Sequence, residues 1–267
     1  MNLPIPFAEL CQITRQAGEK TLAWWKQPLE VIDKPDHSPV TAADLAAHVL
    51  ITEALQALTP GIPVLSEEAA DVPLSERLNW QRFWLVDPLD GTKEFIAGTD
   101  EFTVNIALIE DGEVVLGVVG VPAKNVVYWG GRGLGAWRQR GNDPAQPILA
   151  RDAGTPLTVV ASRRHTSPEQ EAMMARLEAT QPVNRVNVGS SLKFCLVAEG
   201  AADLYPRFGP TSQWDTAAAQ AVVEGAGGLV IGLDGQRFSY PPRETWLNPF
   251  FIALGNMPPA LLAELLG

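Results

Sequence analysis

At 267 residues, with 46% hydrophobic and 19% charged residues, the chain can form one large or two ordinary domains with real cores, and its composition excludes a disordered or low-complexity protein. A net charge of −11 argues against general affinity for nucleic acid or acidic membrane, so an anionic substrate would need metal ions or a few placed cations. The opening stretch MNLPIPFAEL has neither the basic region nor the apolar length of a secretion signal, and no apolar run approaches a membrane span. Cys11 and Cys195 fit no metal-binding spacing and read as reduced core thiols of a cytosolic protein, with one long-range disulfide as the alternative.

In chain order, residues 7–25 carry the periodicity of an amphipathic helix. Residues 41–58 predict a second helix, with Thr41 as N-cap and Asp44 in capping-box position. IPVLSEE and RFWLVD read as short strands ending in carboxylates. From EFTVNIAL to GAWRQ, β-rich runs broken by EDGE and GGRG predict an antiparallel meander. GGRGLG is followed by the strand-like AWRQ, so it reads as a hairpin turn and not a nucleotide loop. Loop-like composition at 148–158 places a boundary near 150–156, dividing the chain into 1–152 and 153–267. Strands LTVVAS, NRVNVG, ADLYPR and GLVIGL then alternate with helices PEQEAMMARLEAT, SLKFCLVAEG and TAAAQAVVEGAG, which predicts an α/β layer.

Three apolar segments deliver acids to what could be one place: PVLSEE with Glu67 and Glu68, WLVDPLDGT with Asp87 and Asp90, and QWDTAAAQAV with Asp215. Pro88 fixes φ and lacks an N–H, and Gly91 can take positive φ, so a turn there can aim both Asp side chains and the Leu89 carbonyl at one point. Mg²⁺ favours such oxygen ligands, completed by water and substrate phosphate. Two unit charges about 4 Å apart repel by roughly 4 kcal/mol at an effective dielectric near 20, so clustered acids make a poor structural feature without cations. Each acid also has an ordinary reading: a turn at 87–91, a solvated SEE loop, an N-cap at Asp215, capping-box support at Asp44. His37 and His48 lack partners at ligand spacing.

LSEE, WLVDPLDGTKEF and WDTAA, in that order, resemble the signatures of the inositol monophosphatase-like superfamily of Mg²⁺-dependent, lithium-sensitive phosphatases, over essentially the whole chain. SPVTAAD, VASRRH, GSSLKFCLVAEG and LYPRFGPTSQWDTAA are similar to the CysQ-type 3'(2'),5'-bisphosphate nucleotidases within it. The resemblance implies an α+β, α/β fold, the layered αβαβα sandwich, with the site between the halves. Glu67, Asp87, the Leu89 carbonyl, Asp90 and Asp215 would hold two to three Mg²⁺ ions, Asp87 bridging two and Glu68 supporting an additional one. Asp44 and Thr92 would orient and deprotonate the attacking water, and Lys34 is the candidate for a cation upstream of VTAAD. Gly91 and Thr92 could offer backbone N–H groups to phosphate.

For the leaving group, the resemblance carries Ser162 and His165 over as contacts to the adenosine. Gly189 permits close backbone approach, Ser190 is suited to cap a helix whose N–H groups favour an anion, and Lys193 adds a point charge. Arg207 could reach a second phosphate and Trp214 could flank the base; an ordinary capped helix with an exposed lysine, a solvated loop at Arg163 and Arg164, and a core tryptophan are the plain alternatives. The expected activity is conversion of adenosine 3',5'-bisphosphate to AMP and phosphate, with phosphoadenylyl sulfate as a related substrate, in the setting of sulfate assimilation. The rivals are an inositol or sugar phosphatase on the same fold and a non-catalytic sensor of metal and nucleotide. The family resemblance places the protein in the cytoplasm and admits peripheral attachment to the inner membrane.

Overall fold

The computed structural model describes residues 3–28, 31–33, 39–162 and 167–266. Helix α1 (Phe7–Leu22) buries Leu10, Ile13, Thr14, Ala17 and Thr21, one face at three- and four-residue spacing. It stops short of the expected residue 25 because the chain turns, and Lys26 takes a φ of 61°. A short hairpin, β1 (Ile32–Asp33) with β2 (Pro39–Val40), leads to α2 (Ala42–Leu58). Thr41 caps α2 in a full capping box with Asp44.

Next come β3 (Val64–Ser66), a 3₁₀ turn (Glu67–Ala69), the short α3 (Leu74–Arg77), β4 (Arg82–Asp90) and α4 (Thr92–Ile96). The meander follows as β5 (Thr103–Glu110), β6 (Glu113–Val121), β7 (Val126–Gly131), β8 (Gly135–Arg140) and β9 (Gln146–Pro147). These form a seven-stranded sheet in the order β3-β4-β5-β6-β7-β8-β9, antiparallel except for the parallel β3–β4 pair.

The second sheet is built from β10 (Leu157–Ser162), α5 (Pro168–Thr180), β11 (Val183–Val188), α6 (Leu192–Ala198), β12 (Leu204–Arg207), a 3₁₀ turn (Gln213–Asp215), α7 (Ala217–Gly225), β13 (Leu229–Gly232), β14 (Phe251–Leu254) and α8 (Pro259–Leu266). Its order is β11-β10-β12-β14-β13. Strand–helix alternation gives the parallel pairs β10–β11 and β10–β12, whereas β14 is antiparallel to both neighbours. The sheet is therefore mixed.

Both faces of the larger sheet are covered, which explains its almost unbroken apolar runs. Trp84 and Val86 face α1 and α2 with Val104, Ile106 and Leu108. Phe83 and Leu85 point the other way, into a core shared with α6 and α7 and with Val160, Tyr205 and Phe251 of the second sheet. Helices α5 and α8 cover that sheet's far face through Met173, Met174, Leu177 and Leu265. The layers run α1/α2, seven strands, α6/α7, five strands, α5/α8: an αβαβα sandwich. Each fully buried Leu, Ile or Val contributes about 1.5–3 kcal/mol. Helix α7 lies unusually close to β6, where a Cβ on Gly117 would sit 2.1 Å from the Ala218 carbonyl oxygen. No helix among the described residues is long and apolar enough to cross a membrane, and Cys11 and Cys195 are buried and unpaired.

Candidate metal centre and substrate cleft

Strand β4 ends at the acids. Its ladder with β5 pairs Asp87 with Asn105 and Asp90 with Thr103, with a register shift between them. Pro88 cannot donate to a ladder, so the irregularity falls where the sequence removes a donor. The structure differs here from a turn closing a strand: strand geometry persists through Asp90, and the bulge aims the side chains. Asp87 Oδ1 accepts from Leu89 N at 3.0 Å. Gly91 then takes a φ of 88° and starts α4 at Thr92.

Asp87, Asp90 and Asp215 offer oxygens that all lie within 4.8 Å of one another. Asp215 arrives from the second half, on the 3₁₀ turn before α7, where its Oδ2 accepts from Ser212 N at 2.8 Å. Glu67, on the 3₁₀ turn after β3, lines the same cavity as Asp90 and Asp215. Burial, then the Glu67, Asp90 and Asp215 charges, push the Asp87 carboxyl well above the usual range. Burial and the Asp90 and Glu67 charges do the same to Asp215. Asp90 is raised by burial, opposed by the nearby Lys193 ammonium. Asp87 Oδ2 is buried with no hydrogen-bond partner among the described residues. A divalent cation bound through oxygen satisfies both the orphaned atom and the repulsion, so the residues present fit such an ion.

Asp44 forms the capping box and also reaches Thr92. Its Oδ2 accepts from Thr41 N at 2.8 Å and Thr41 Oγ1 at 2.6 Å, which is the capping box. Its Oδ1 accepts from Thr92 Oγ1 at 3.3 Å. Burial raises the Asp44 carboxyl, the Thr41 bonds oppose this, and the Glu68 charge adds to it. Thr92 Oγ1 also lies 3.3 Å from the Leu89 carbonyl oxygen, which it faces as a donor.

The cavity has a volume of about 470 Å³ and is lined on the second half by Ser162, Gly189, Ser190, Lys193 and Arg207. Lys193 is not the exposed lysine of the plain reading: it is 5% exposed. Its Nζ donates to Ser190 O at 2.6 Å and lies 5.2 Å from the Tyr205 ring. Burial pulls its pKa down to about 8, against the raising effect of Asp90. Arg207 is buried too, donating through Nη2 to Pro210 O at 2.8 Å while its Nε has no partner among the described residues.

Ser190 does not cap α6 as expected. Ser191 takes the N-cap position and Ser190 adopts a φ of 51°, yet Ser190 Oγ still accepts from Leu192 N, the first N–H of α6, at 3.3 Å. Gly189 is required by close approach: a Cβ there would meet Glu94 Cγ at 2.6 Å. Trp214 does not line the cavity; its ring packs at 5.6 Å from Trp246 within the shared core. Lys34, His37, Arg163, Arg164 and His165 lie outside the described residues. His48 is engaged by Ser66 at 2.8 Å.

Lining residues the sequence reading passed over include Lys93, Glu94, Ser212 and Leu247. Ser212 had a signal, since S-x-x-D at 212–215 is a capping-box pattern. Lys93 and Glu94 follow Thr92 directly on the first turn of α4. Leu247 had none: it reaches the cavity through an isolated bridge to Ser212.

Fold and site together define a layered sandwich in which Glu67 and Asp90 from the first half and Asp215 from the second line one cleft beside the buried cations Lys193 and Arg207. The chain belongs to the inositol monophosphatase family, which residues 6–261 match. It is 52% identical over 246 residues to the 3'(2'),5'-bisphosphate nucleotidase CysQ of Salmonella typhimurium, covering 91% of this chain and 97% of that protein. The Escherichia coli K12 protein of the same description is 51% identical, with the same coverage. Among solved structures, CysQ from Bacteroides thetaiotaomicron superposes with a TM-score of 0.80 at 39% identity, covering 93% of this chain and 96% of that one. An inositol monophosphatase of Thermotoga maritima shares the fold, with a TM-score of 0.77 at 23% identity over 97% and 94% of the two chains.

Proposed function

We propose that the protein is a Mg²⁺-dependent 3'(2'),5'-bisphosphate nucleotidase that hydrolyses adenosine 3',5'-bisphosphate to AMP and phosphate. One observation carries this reading: Asp90, at the end of β4, shares a single cavity with Glu67, Asp215 and two buried cations, Lys193 and Arg207. Acids suit a metal-held phosphoryl group, and buried cations beside them suit a substrate with a second phosphate. The relatives described as 3'(2'),5'-bisphosphate nucleotidases support the same substrate class.

Glu67, Asp87, the Leu89 carbonyl, Asp90 and Asp215 would hold two to three Mg²⁺ ions, with Glu68 supporting an additional one. Bound there, the ions supply charge neutralisation at the phosphoryl oxygens and acidify a bound water. The protein's own part is proton handling and positioning. Thr92 Oγ1 donates to Asp44 Oδ1, which leaves the threonine oxygen's lone pair to accept a proton from water. Burial raises the basicity of Asp44, so its carboxylate can take the hydroxyl proton in turn. Thr92 thus acts as a relay, and no side chain is called on as a covalent nucleophile. Gly91 and Thr92 meet the phosphate at the start of α4, while Ser162, Gly189, Ser190 and Lys193 meet the nucleoside side. Phosphoadenylyl sulfate, which also carries a 3'-phosphate, falls within the same substrate class.

On this reading the cleft lies between two units, 1–152 with most of the oxygen donors and 153–267 with Asp215 and the nucleotide contacts. Two buried thiols left unpaired fit a reducing, cytoplasmic setting. The test is phosphate release from adenosine 3',5'-bisphosphate, phosphoadenylyl sulfate, inositol 1-phosphate and a simple sugar phosphate, with and without Mg²⁺ and Li⁺. Higher kcat/KM on inositol phosphate would overturn the substrate and keep the metal chemistry. Nucleotide binding without phosphate release in Mg²⁺ would turn the protein into a sensor.

A further inference from the structure

Behind Asp90 runs a file of buried neutral polar side chains that the mechanism leaves unused. Thr103 and Asn105 occupy alternate positions of β5 and are fully buried, and Ser191, before α6, is 2% exposed. Ser191 Oγ lies 2.8 Å from Thr103 Oγ1 and 2.9 Å from the Asn105 side-chain amide. Thr103 Oγ1 is 3.3 Å from Asp90 Oδ2, which also accepts from the Ser191 backbone N–H. The file therefore joins the first half's Asp90 to the second half's substrate loop.

Proton arithmetic gives the file a direction. Each hydroxyl has one proton, and amide oxygen and nitrogen occupy interchangeable places, so the bonding pattern decides which atom faces Ser191. Suppose the Asn105 oxygen faces Ser191. The Ser191 hydroxyl proton then goes to Asn105, the Thr103 proton goes to Ser191, and Asp90 receives no hydroxyl proton from the file, only the Ser191 backbone N–H. Asn105 Nδ2 is left buried without a partner among the described residues, at a cost of about 1–3 kcal/mol. Turning the amide over gives Nδ2 a partner and moves the unpartnered place to the carbonyl oxygen, which is tolerated in buried sites better than an orphaned N–H. Nδ2 donates to Ser191, Ser191 donates to Thr103, and Thr103 donates to Asp90. Asp87 is Asn105's partner across the ladder, yet Asn105 Nδ2 and Asp87 Oδ2 both have no partner among the described residues, so no bond between them favours the opposite sense.

We propose that Asn105 and Ser191 are positioning residues for Asp90: a relay from Asn105 through Ser191 and Thr103 pins Asp90 Oδ2 as an acceptor and presents Oδ1 to the cation. The inference rests on the reading of Asp90 as a Mg²⁺ ligand. Groups that orient a ligand carboxylate typically account for 10–100-fold in metal affinity or activity.

The experiment measures the Mg²⁺ dissociation constant by titration calorimetry with the metal alone, for wild type, Asn105→Ala, Ser191→Ala, the double variant and Ser191→Thr. Near-UV circular dichroism checks each fold. The expected result is about a tenfold weakening in each alanine variant, no further loss in the double variant, and near-wild-type affinity with Ser191→Thr, which keeps the hydroxyl. A purely structural role would lower the melting temperature and leave the Mg²⁺ constant where it was. Single variants within twofold of wild type, or losses that multiply in the double variant, would overturn the relay. Ser191→Ala alone decides the matter if Asn105→Ala does not fold. Wild-type protein that bound no Mg²⁺ would overturn the proposed function and this inference together, whereas unchanged binding in the variants overturns the relay alone.

Discussion

Thr92 Oγ1 and Asp44 Oδ1 meet at 3.3 Å although the residues stand 48 positions apart, and the second oxygen of the same carboxylate is held by Thr41. The capping box thus fixes the acid, and the acid fixes the hydroxyl. Thr92→Val keeps the shape and removes the relay. Its kcat should fall at least about 10²-fold with little change in KM. Steady-state kinetics at saturating Mg²⁺ check this; a kcat within a few fold of wild type would remove Thr92 from the proton path.

Asp90→Asn should abolish phosphate release and leave the fold largely intact, because the amide retains the shape and Ser191 N–H can still find its oxygen. Circular dichroism and a phosphate assay read the two halves of that statement. Near-normal turnover would remove Asp90 from the ligand set.

Raised carboxyl pKa values set the pH response of the metal-free protein. The folded state of Asp87 and Asp215 binds protons that the unfolded state has already lost. The stability this contributes is present below the ordinary carboxylate range near 4 and declines as pH rises through the raised folded values. On the proposed function Mg²⁺ would replace those protons, so its stabilisation should grow with pH, reaching about 2.7 kcal/mol at one hundred times the dissociation constant. Melting curves from pH 5 to pH 8 in EDTA and in Mg²⁺ test this. Asp87→Asn in EDTA should melt above wild type at pH 8, and a lower melting temperature there would contradict the repulsion.

Lys193 should show in substrate discrimination. Lys193→Met, which preserves the buried stem, should raise KM for adenosine 3',5'-bisphosphate about tenfold or more, as loss of a charge-assisted contact of about 1.5–3 kcal/mol requires, and should affect a simple monoester less. In the wild type, a pKa near 8 means the ammonium is lost as pH rises through that value, so kcat/KM on the bisphosphate should show an alkaline limb there that the methionine variant lacks. Equal losses on both substrates would show that Lys193 does not read the nucleotide.

Gly117→Ala tests the packing of α7. A Cβ at 2.1 Å from a backbone oxygen cannot be absorbed by rotating a side chain, so the helix or strand must shift at a cost of about 1–3 kcal/mol or more. Urea unfolding at constant m-value measures it, and a loss under 0.5 kcal/mol would mean that α7 moves freely on the sheet.

Much of this was legible because local chemistry and tertiary role agree. Thr41 and Asp44 announce a helix start and deliver an acid. Pro88 breaks a ladder where the acids must turn. Strand β14 was missed because only Phe251–Leu254 is strand, behind a proline-rich stretch that suggests loop. Burial of Lys193 and Arg207 was not readable, since a cation on a first helical turn or strand end looks the same in sequence whether it faces water or a cavity. Trp214 illustrates the reverse: its place beside Asp215 suggested the base, but the 3₁₀ turn points its ring at Trp246. The relay at Asn105 joins β5 to the loop before α6, 86 positions away, and no spacing in one segment reveals it.

Phe83 and Leu85 of one sheet, α6 and α7, and Tyr205 and Phe251 of the other belong to a single continuous apolar cluster. A clamshell motion would tear that cluster open and expose it to water, at a penalty far beyond what one small ligand returns. The mouth is therefore a fixed aperture: substrate must be admitted by adjustments of surface segments, and selectivity is cast into the resting shape of the molecule instead of being created when something binds.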